Sequence, residues 1–539
     1  MPKIFKEKVV MMKVQKKNWI FLLLLVVCAI YMGAYIYKTS FISNDTRYFV
    51  LFDDAMISMR YAKNFAEGYG LVWNPGETPV EGYTNPLWVI FMAAFHLFPI
   101  TESKISLAIQ LSGAIFLLGN LVMVKKITEL ISDNFIAPIM AVILTAFYVP
   151  LNNWGLQGME VSVLTLVLST SSLITIRNLK NEQFSPWPYI LLGIGTLIRI
   201  DMVVPFLVFI GFLLIFDSKH RWRHLLWGGS LLVFFLASQT LFRLWYYGDP
   251  LPNTYYLKMY GFPIFLRIKR GLYVLYKFIR ELNWVLFLIP FSVLLFRYDR
   301  STLFLALLIL GQMAYSVYVG GDAWEHKGGA NRYISIAIPL FFIMFVYGLE
   351  QIIKSLLALV KNNKHIIVFF ANLGYVAVII ASMINFNFIL ESQLSIKRML
   401  LLHTPYFVEG PKEYVRIVHA VDKITTPQAR VAVVTAGIIP YLSERPTVDL
   451  LGKNDTHIAH LPSHIPPSLV DIRPGHMKWD YDYSIGELKP DMVLQLWGDT
   501  SRAKPYIEEY YTIVVVDGLE LSARTDSPEI IWENVDEIP

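Results

Sequence analysis

The sequence predicts a polytopic α-helical membrane protein carrying a C-terminal α/β domain. Three observations support this. The 539 residues are 55% hydrophobic and only 17% charged, with a mean hydropathy of +0.47, which leaves too little polar surface for a soluble domain. Eleven apolar runs of spanning character punctuate the first 388 residues. After about residue 390 the pattern changes to short strand-like runs separated by turn residues. The net charge of +5 is too small to mark a nucleic-acid partner. Cys28 is the sole cysteine, which excludes a disulfide framework or thiolate metal site within one chain.

In chain order, Lys3, Lys6, Lys8, Lys13, Lys16 and Lys17 precede the apolar run Trp19 to Tyr37. No small-residue cleavage site follows, so a retained signal anchor with a cytoplasmic N-terminus is expected. Further spans fall at 105–124, 135–150, 159–176, 187–198, 202–216, 224–245, 283–296, 302–319, 333–349 and 365–388. Residues 187–216 contain Arg199 and Asp201 at their middle. Charges there are costly inside a bilayer, so two short helices meeting at a polar turn are expected.

The segment from Pro86 to Pro99 is apolar but only about two-thirds of spanning length. Charge parity resolves it. If it does not cross, the loops with Lys125 and Lys126, Arg177 and Lys180, Lys219 with Arg221 and Arg223, Arg297 and Arg300, and Lys354 with Lys361 and Lys364 all lie inside, as the positive-inside rule requires. If it crosses, every later assignment inverts. Residues 86–99 are therefore expected to form a helix at the outer surface. The outer loops become 38–104, 151–158, 199–201, 246–282 and 320–332, with domains of 1–389 (membrane) and 390–539 (extracytoplasmic).

These outer segments hold the unusual polar motifs, and their convergence points to one site. No Walker loop is present, and an outer-face enzyme is cut off from cytosolic nucleotides. A lipid-linked donor fits instead. Its phosphate calls for charge-assisted donors, and Arg60, Arg199, Lys258, Lys327 and Arg332 lie at that level. An acceptor hydroxyl calls for a base, for which Asp53 and Asp54 are the candidates. One of them can instead cap the helix that begins "AMISMRYAKNFAEG", on which Arg60 lies at i+7 from Asp53 and faces the same way. Glu81, Tyr83, Glu160, Asp201, Asp322 and His326 are candidate acceptor or sugar contacts. Glu160 can equally be a solvated helix-start acid or a ligand of a divalent cation. His326 reads as a polar contact rather than a base. Trp73, Tyr83 and Trp88 read as interfacial aromatics, and glycines 68, 70, 76 and 82 as tight turns. His457, His460 and His464 lie in a proline-rich stretch that reads as a polar loop rather than a metal site.

In the tail, "RVAVVTAGIIPYLSERPTVDLLG" reads as strand, glycine turn, helix and strand, and "DMVLQLWG" and "YTIVVVDGLELSAR" add further strands.

The stretch "DDAMISMRYAKNFAEGYGLVWNPGETPVEGYTNPLW" resembles the first outer loop of GT-C fold, polyprenyl-phosphate-dependent glycosyltransferases, above all the terminal arabinofuranosyltransferases of mycobacterial cell walls and their wider bacterial relatives. "QGME", "YYGDPLPNTYYLK", "GGDAWEHKGGANRYISIAIPL", "AGIIPYLSERPTVDLLGKNDTHIA" and "GHMKWDYDY" extend the resemblance, in order, along nearly the whole chain. It implies a multi-pass bacterial inner-membrane enzyme with its site on the periplasmic face, a base at Asp53 or Asp54, and a second functional acid at Glu160. It further implies a polyprenyl-phosphate-linked sugar as donor, a glycan or glycolipid as acceptor, and inversion at the anomeric carbon. A lipid or sugar transporter would need ionisable groups deep in the spans. An envelope assembly protein would need neither acid.

Overall fold

The computed structural model describes residues 2–296, 299–324, 329–359, 364–388 and 393–539. All eleven apolar runs are helical. Among the described residues, seven helices are long and apolar enough to cross a membrane: Trp19–Thr39, Glu102–Ile131, Val161–Asn181, Arg221–Tyr246, Arg300–Tyr318, Ile338–Ala358 and Ile367–Asn387. Two bent pairs raise the number to nine: Ala137–Ala146 with Val149–Leu156 (58°), and Ile264–Leu282 with Trp284–Phe296 (95°). The two remaining runs, Trp187–Ile198 and Val203–Phe216, are shorter helices. They meet where expected, at Arg199, whose backbone is extended (φ −156°), followed by the short 3-10 turn Ile200–Met202.

The bundle is organised around Ile338–Ala358, buried at every position from Ile338 to Gln351. A helix apolar on all sides belongs in the interior. Arg221–Tyr246 is the opposite case: its described buried positions are only His224, Gly228, Gln239 and Arg243, and the rest is half-buried or exposed, as in a helix at the edge of a bundle.

The first outer loop is built rather than loose. A hairpin of β1 (Phe41–Ser43) and β2 (Thr46–Tyr48) leads into helix Asp53–Ala66. That helix starts at Asp53 with Phe52 as its N-cap and no side-chain cap, so neither Asp53 nor Asp54 serves as one. Helix Pro86–His96 packs against it and has Pro86 in its first turn, where a missing N–H costs nothing. Its 11 residues give roughly 16 Å at 1.5 Å per residue, about half a ~30 Å hydrocarbon core.

Trp73, Tyr83 and Trp88 are buried, not interfacial. The Trp73 indole donates to Ala436 O (3.2 Å), Trp88 to Gly158 O (3.0 Å), and Tyr83 shares a hydroxyl contact with Tyr247 (2.8 Å). Folding of the outer loop onto helices and tail turned them inward, which local sequence cannot register. Gly68, Gly70 and Gly76 have positive φ, as turns require. Gly82 is a close approach instead: a Cβ there would lie 1.9 Å from Asn454 Oδ1.

The tail contains a five-stranded sheet of β3 (Val431–Val433), β4 (Thr447–Asp449), β5 (Met492–Val493), β6 (Tyr511–Val516) and β7 (Leu519–Arg524), ordered β4-β3-β5-β7-β6. β3 runs parallel to β4 and β5, and β7 is antiparallel to β5 and β6. Val431 to Val433 are buried throughout, which explains their unbroken apolar run. Helix Ile438–Ser443 follows β3 through Gly437, as the turn reading expected.

Candidate active site

The tail is docked onto the first outer loop. Asp53 Oδ1 accepts from Ile438 N–H (2.9 Å), and a Cβ at Gly437 would meet Asp53 O at 2.0 Å. Only glycine permits this approach. Arg60 does face the same way as Asp53, but towards the same tail helix. Its guanidinium donates to Trp73 O (2.9 Å), Pro440 O and Arg445 O (3.2 Å). Arg60 therefore stands away from any anion site, its donors spent on backbone carbonyls.

Asp54, one residue on, turns into a small cavity of about 40 Å³ bordered by Tyr83, Glu160, Thr254, Lys258, Arg332 and Lys453. Arg332 Nη1 donates to Asp54 Oδ2 (3.1 Å) and Lys453 Nζ to Oδ1 (2.5 Å). Burial pushes the Asp54 carboxyl up, but Lys453 and Arg332 outweigh it and hold it well below the usual carboxylate range. Among the described residues, Asp53 lacks such close cations. Burial pushes its carboxyl up to about 6 against the lowering effect of the Ile438 N–H.

Lys453 reaches the site because Asp449 winds the loop before it. Asp449 accepts from Leu451 N (3.0 Å), Gly452 N (3.2 Å), Asn454 N (2.8 Å) and Asn454 Nδ2 (2.9 Å). Asn253 pins the loop from the membrane side, donating to Gly452 O (3.0 Å), Lys453 O (2.9 Å) and Asp455 O (3.2 Å). Helix Asn253–Met259 then carries Lys258 into the cavity. Lys258 has no hydrogen bond or ion pair among the described residues. Burial and the neighbouring Arg332 push its ammonium down to about 8. Thr254 Oγ1 and Arg332 Nε are also buried without a partner among the described residues. Buried polar atoms left open around a cation cluster are the complement of an anionic ligand.

The other nominated residues form two supporting layers. Arg199 is held bidentately by Asp201 and donates to Glu160 Oε1 (3.0 Å), while Asn85 donates to Glu160 Oε2 (3.2 Å). Glu160 is thus a buried, positioned acid rather than a solvated helix-start group. Asp322 Oδ1 accepts from Arg332 Nη2 (2.8 Å) and so orients the guanidinium. The Tyr333 ring lies 5.0 Å from Arg199 Cζ and 5.7 Å from Arg332 Cζ. Glu81 is removed from the cavity and paired bidentately with Arg243 (2.7 and 3.1 Å). Burial raises its pKa and Arg243 opposes the rise. Glu81 thus ties the outer loop to helix Arg221–Tyr246. His326 and Lys327 lie outside the described residues.

For a divalent cation the donor set fits poorly. Asp54, Glu160 and Asp322 each carry an arginine or lysine contact, and no metal-binding group of three His, Cys, Asp or Glu side chains occurs among the described residues. His457 pairs with Asp480, His460 stacks on Tyr256 and His464 on Trp479, three separate environments.

Sequence reasoning missed Lys453 and His476. Both lie in stretches that carry the resemblance, "AGIIPYLSERPTVDLLGKNDTHIA" and "GHMKWDYDY", but nothing local marks them as facing Asp54 across some 400 residues of chain. His476 borders a second, larger cavity of about 450 Å³, which meets the first at Asp54 and Lys453. Burial and Lys453 push its imidazole down to about 3, so it is neutral.

The multi-pass bundle with its C-terminal α/β domain has the GT-C type of fold. Solved structures share it. ArnT from Cupriavidus metallidurans bound to undecaprenyl phosphate superposes with a TM-score of 0.56 at 13% identity, covering 94% of this chain and 98% of that one. Its apo state gives 0.55 at 13%, covering 93% and 97%. The Archaeoglobus fulgidus oligosaccharyltransferase tethered with an acceptor peptide gives 0.54 at 12%, covering 96% and 74%. At these identities the likeness is one of fold. Residues 408–526 match a family described as a domain of unknown function (DUF8728). No curated protein matches the sequence.

Proposed function

We propose that this chain is a membrane glycosyltransferase that moves a sugar from a polyprenyl-phosphate donor to a hydroxyl of a cell-envelope glycan or glycolipid. The observation that carries the reading is the Lys258 ammonium, unpartnered among the described residues, beside Arg332 and Lys453 in one cavity with Asp54. Three cations around an unfilled space suit a phosphate, and the ArnT structure with undecaprenyl phosphate supports a lipid-linked donor on this fold. Charge parity supports an extracytoplasmic site in a bacterial inner membrane.

The donor phosphate takes hydrogen bonds from Lys258, Arg332 and Lys453. Those cations then cease to depress Asp54, whose basicity rises as the donor arrives. The acceptor O–H gives its proton to Asp54, its oxygen bonds to the anomeric carbon, and the carbon–oxygen bond to phosphate breaks with its electron pair leaving on polyprenyl phosphate. Attack opposite the leaving group inverts the centre. The same cations stabilise the departing charge. Asp53, fixed to Ile438, sets the backbone from which Asp54 projects.

Mass spectrometry of envelope glycans from a strain lacking the gene tests this. A missing sugar, restored by the wild-type gene but not by the D54N gene, is expected. Unchanged glycans overturn the reading.

A further inference from the structure

The two cavities that meet at Asp54 differ in size and chemistry. The cation-lined one, at about 40 Å³, has room for a compact group on the scale where one water needs ~10–15 Å³. The other, at about 450 Å³, lies between the membrane bundle and the tail, within the ~300–1,000 Å³ range of small-ligand sites. Trp324, Tyr414 and Trp497 border it. Aromatic faces beside hydrogen-bonding groups suit pyranose rings, which present apolar C–H faces and polar edges.

Two tail side chains in this cavity are set for a ligand. Gln495 Oε1 accepts from Val434 N (3.1 Å), Thr435 N (2.9 Å) and Thr435 Oγ1 (2.8 Å). With its oxygen so committed, the amide orientation is fixed and its NH2 remains to donate. Arg473 lies with its guanidinium 5.4 Å from the centre of the Trp497 ring. It has no hydrogen bond or ion pair from its side chain among the described residues. Trp497 is itself anchored, donating from its indole to His476 O (2.9 Å) and from its backbone N to Tyr481 Oη (2.8 Å). Among the described residues, the carboxylates that border this cavity are otherwise engaged: Asp54 by Arg332 and Lys453, Asp53 by Ile438 N–H, and Asp449 by its own loop. Among the described residues, the guanidinium of Arg473 is thus a cation here that no carboxylate neutralises.

We infer that this cavity is the acceptor subsite and that it takes a saccharide bearing a negatively charged substituent, a carboxylate or a phosphate, whose charge is read by Arg473 on its Trp497 platform. The inference rests on the glycosyltransferase reading. It assigns the reading of the acceptor's charge to the tail, and donor binding to Lys258 and Arg332 of the membrane half together with Lys453 of the tail.

The test uses the full-length protein in lipid nanodiscs, with saturation-transfer NMR and titration of three probes: cellobiouronic acid, glucose 6-phosphate and neutral cellobiose. Either acidic probe is expected to bind at least about tenfold more tightly than cellobiose. R473Q removes the preference and R473K retains part of it. The acidic probe that binds tighter identifies carboxylate or phosphate as the group read. Undecaprenyl phosphate binding, measured on the same samples, reports folding and the donor reading separately, and is expected to be unchanged in R473Q. Equal binding of acidic and neutral probes, a preference that survives R473Q, or no saccharide binding at all overturns the inference, while retained undecaprenyl phosphate binding leaves the donor reading standing. Loss of undecaprenyl phosphate binding by the wild-type protein strikes that reading instead.

Discussion

Lys453, on a loop of the tail, donates to Asp54 at the start of the first outer-loop helix, 2.5 Å apart in space and 399 residues apart in sequence. Arg332 closes on the other carboxylate oxygen. Together the two cations hold the Asp54 carboxyl well below the usual carboxylate range, and in the proposed reaction an anion that draws them away raises its basicity.

Replacement of Asp54 by Asn is therefore expected to lower transfer by about 10²–10⁴-fold, the usual worth of a positioned base. D53N keeps an oxygen for the Ile438 N–H and is expected to lose less than about tenfold. Transfer from a synthetic polyprenyl-phosphate sugar in proteoliposomes measures both. Equal activity of D54N and wild type removes Asp54 from the mechanism.

Burial and the neighbouring Arg332 push the Lys258 ammonium down to about 8. An anionic donor prefers its charged form, so undecaprenyl phosphate affinity should hold up to about pH 8 and fall as pH rises further. K258R, charged throughout, is expected to flatten that profile. K258M should weaken binding at pH 7 by about tenfold or more, from loss of a charge-assisted contact of ~1.5–3 kcal/mol. Binding isotherms between pH 6.5 and 9.5 settle the point.

Asp53 has its pKa raised from 3.8 to about 6 by burial. A raised acid binds more protons folded than unfolded between those values, so its contribution to stability declines as pH rises from about 4 to 6. D53N lacks the titration while keeping the acceptor. Its unfolding free energy should gain on that of wild type across that window, by up to about 3 kcal/mol. A constant offset between the two proteins from pH 4 to 7 would refute the burial account.

Arg60 makes a contrasting control. R60M removes the charged donor from the carbonyls of Trp73, Pro440 and Arg445, which among the described residues keep only Asn64 Nδ2, Glu444 N and Thr447 Oγ1, at a cost of about 2–4 kcal/mol. Thermal unfolding should fall markedly, with undecaprenyl phosphate affinity of the folded fraction within about twofold of wild type. A selective loss of that affinity would return Arg60 to the donor site.

The sequence by itself determined the class of fold. Apolar run length marked eleven helical segments of the bundle but not the amphipathic helix Ile264–Leu282, which lies in what reads as an outer loop, the charge pair Arg199 and Asp201 marked the break at 199–202, and glycine and β-branched patterns marked the strand–helix–strand unit at 431–449. These signals are local, written in periodicity and in the cost of placing charge in lipid. It also put Asp54, Tyr83, Glu160, Lys258 and Arg332 on one short list, and the structure brings those five to one cavity. Tertiary structure alone decided the division of labour. Asp53 and Asp54 are adjacent and chemically identical, yet successive helical residues point about 100° apart, so one meets the tail backbone and the other the cations. Arg60 and Glu81 look like ligand contacts in sequence but are spent on fold-bearing bonds. Lys453, His476 and Arg473 carry no local mark, because what makes them part of a site is the docking of a distant domain.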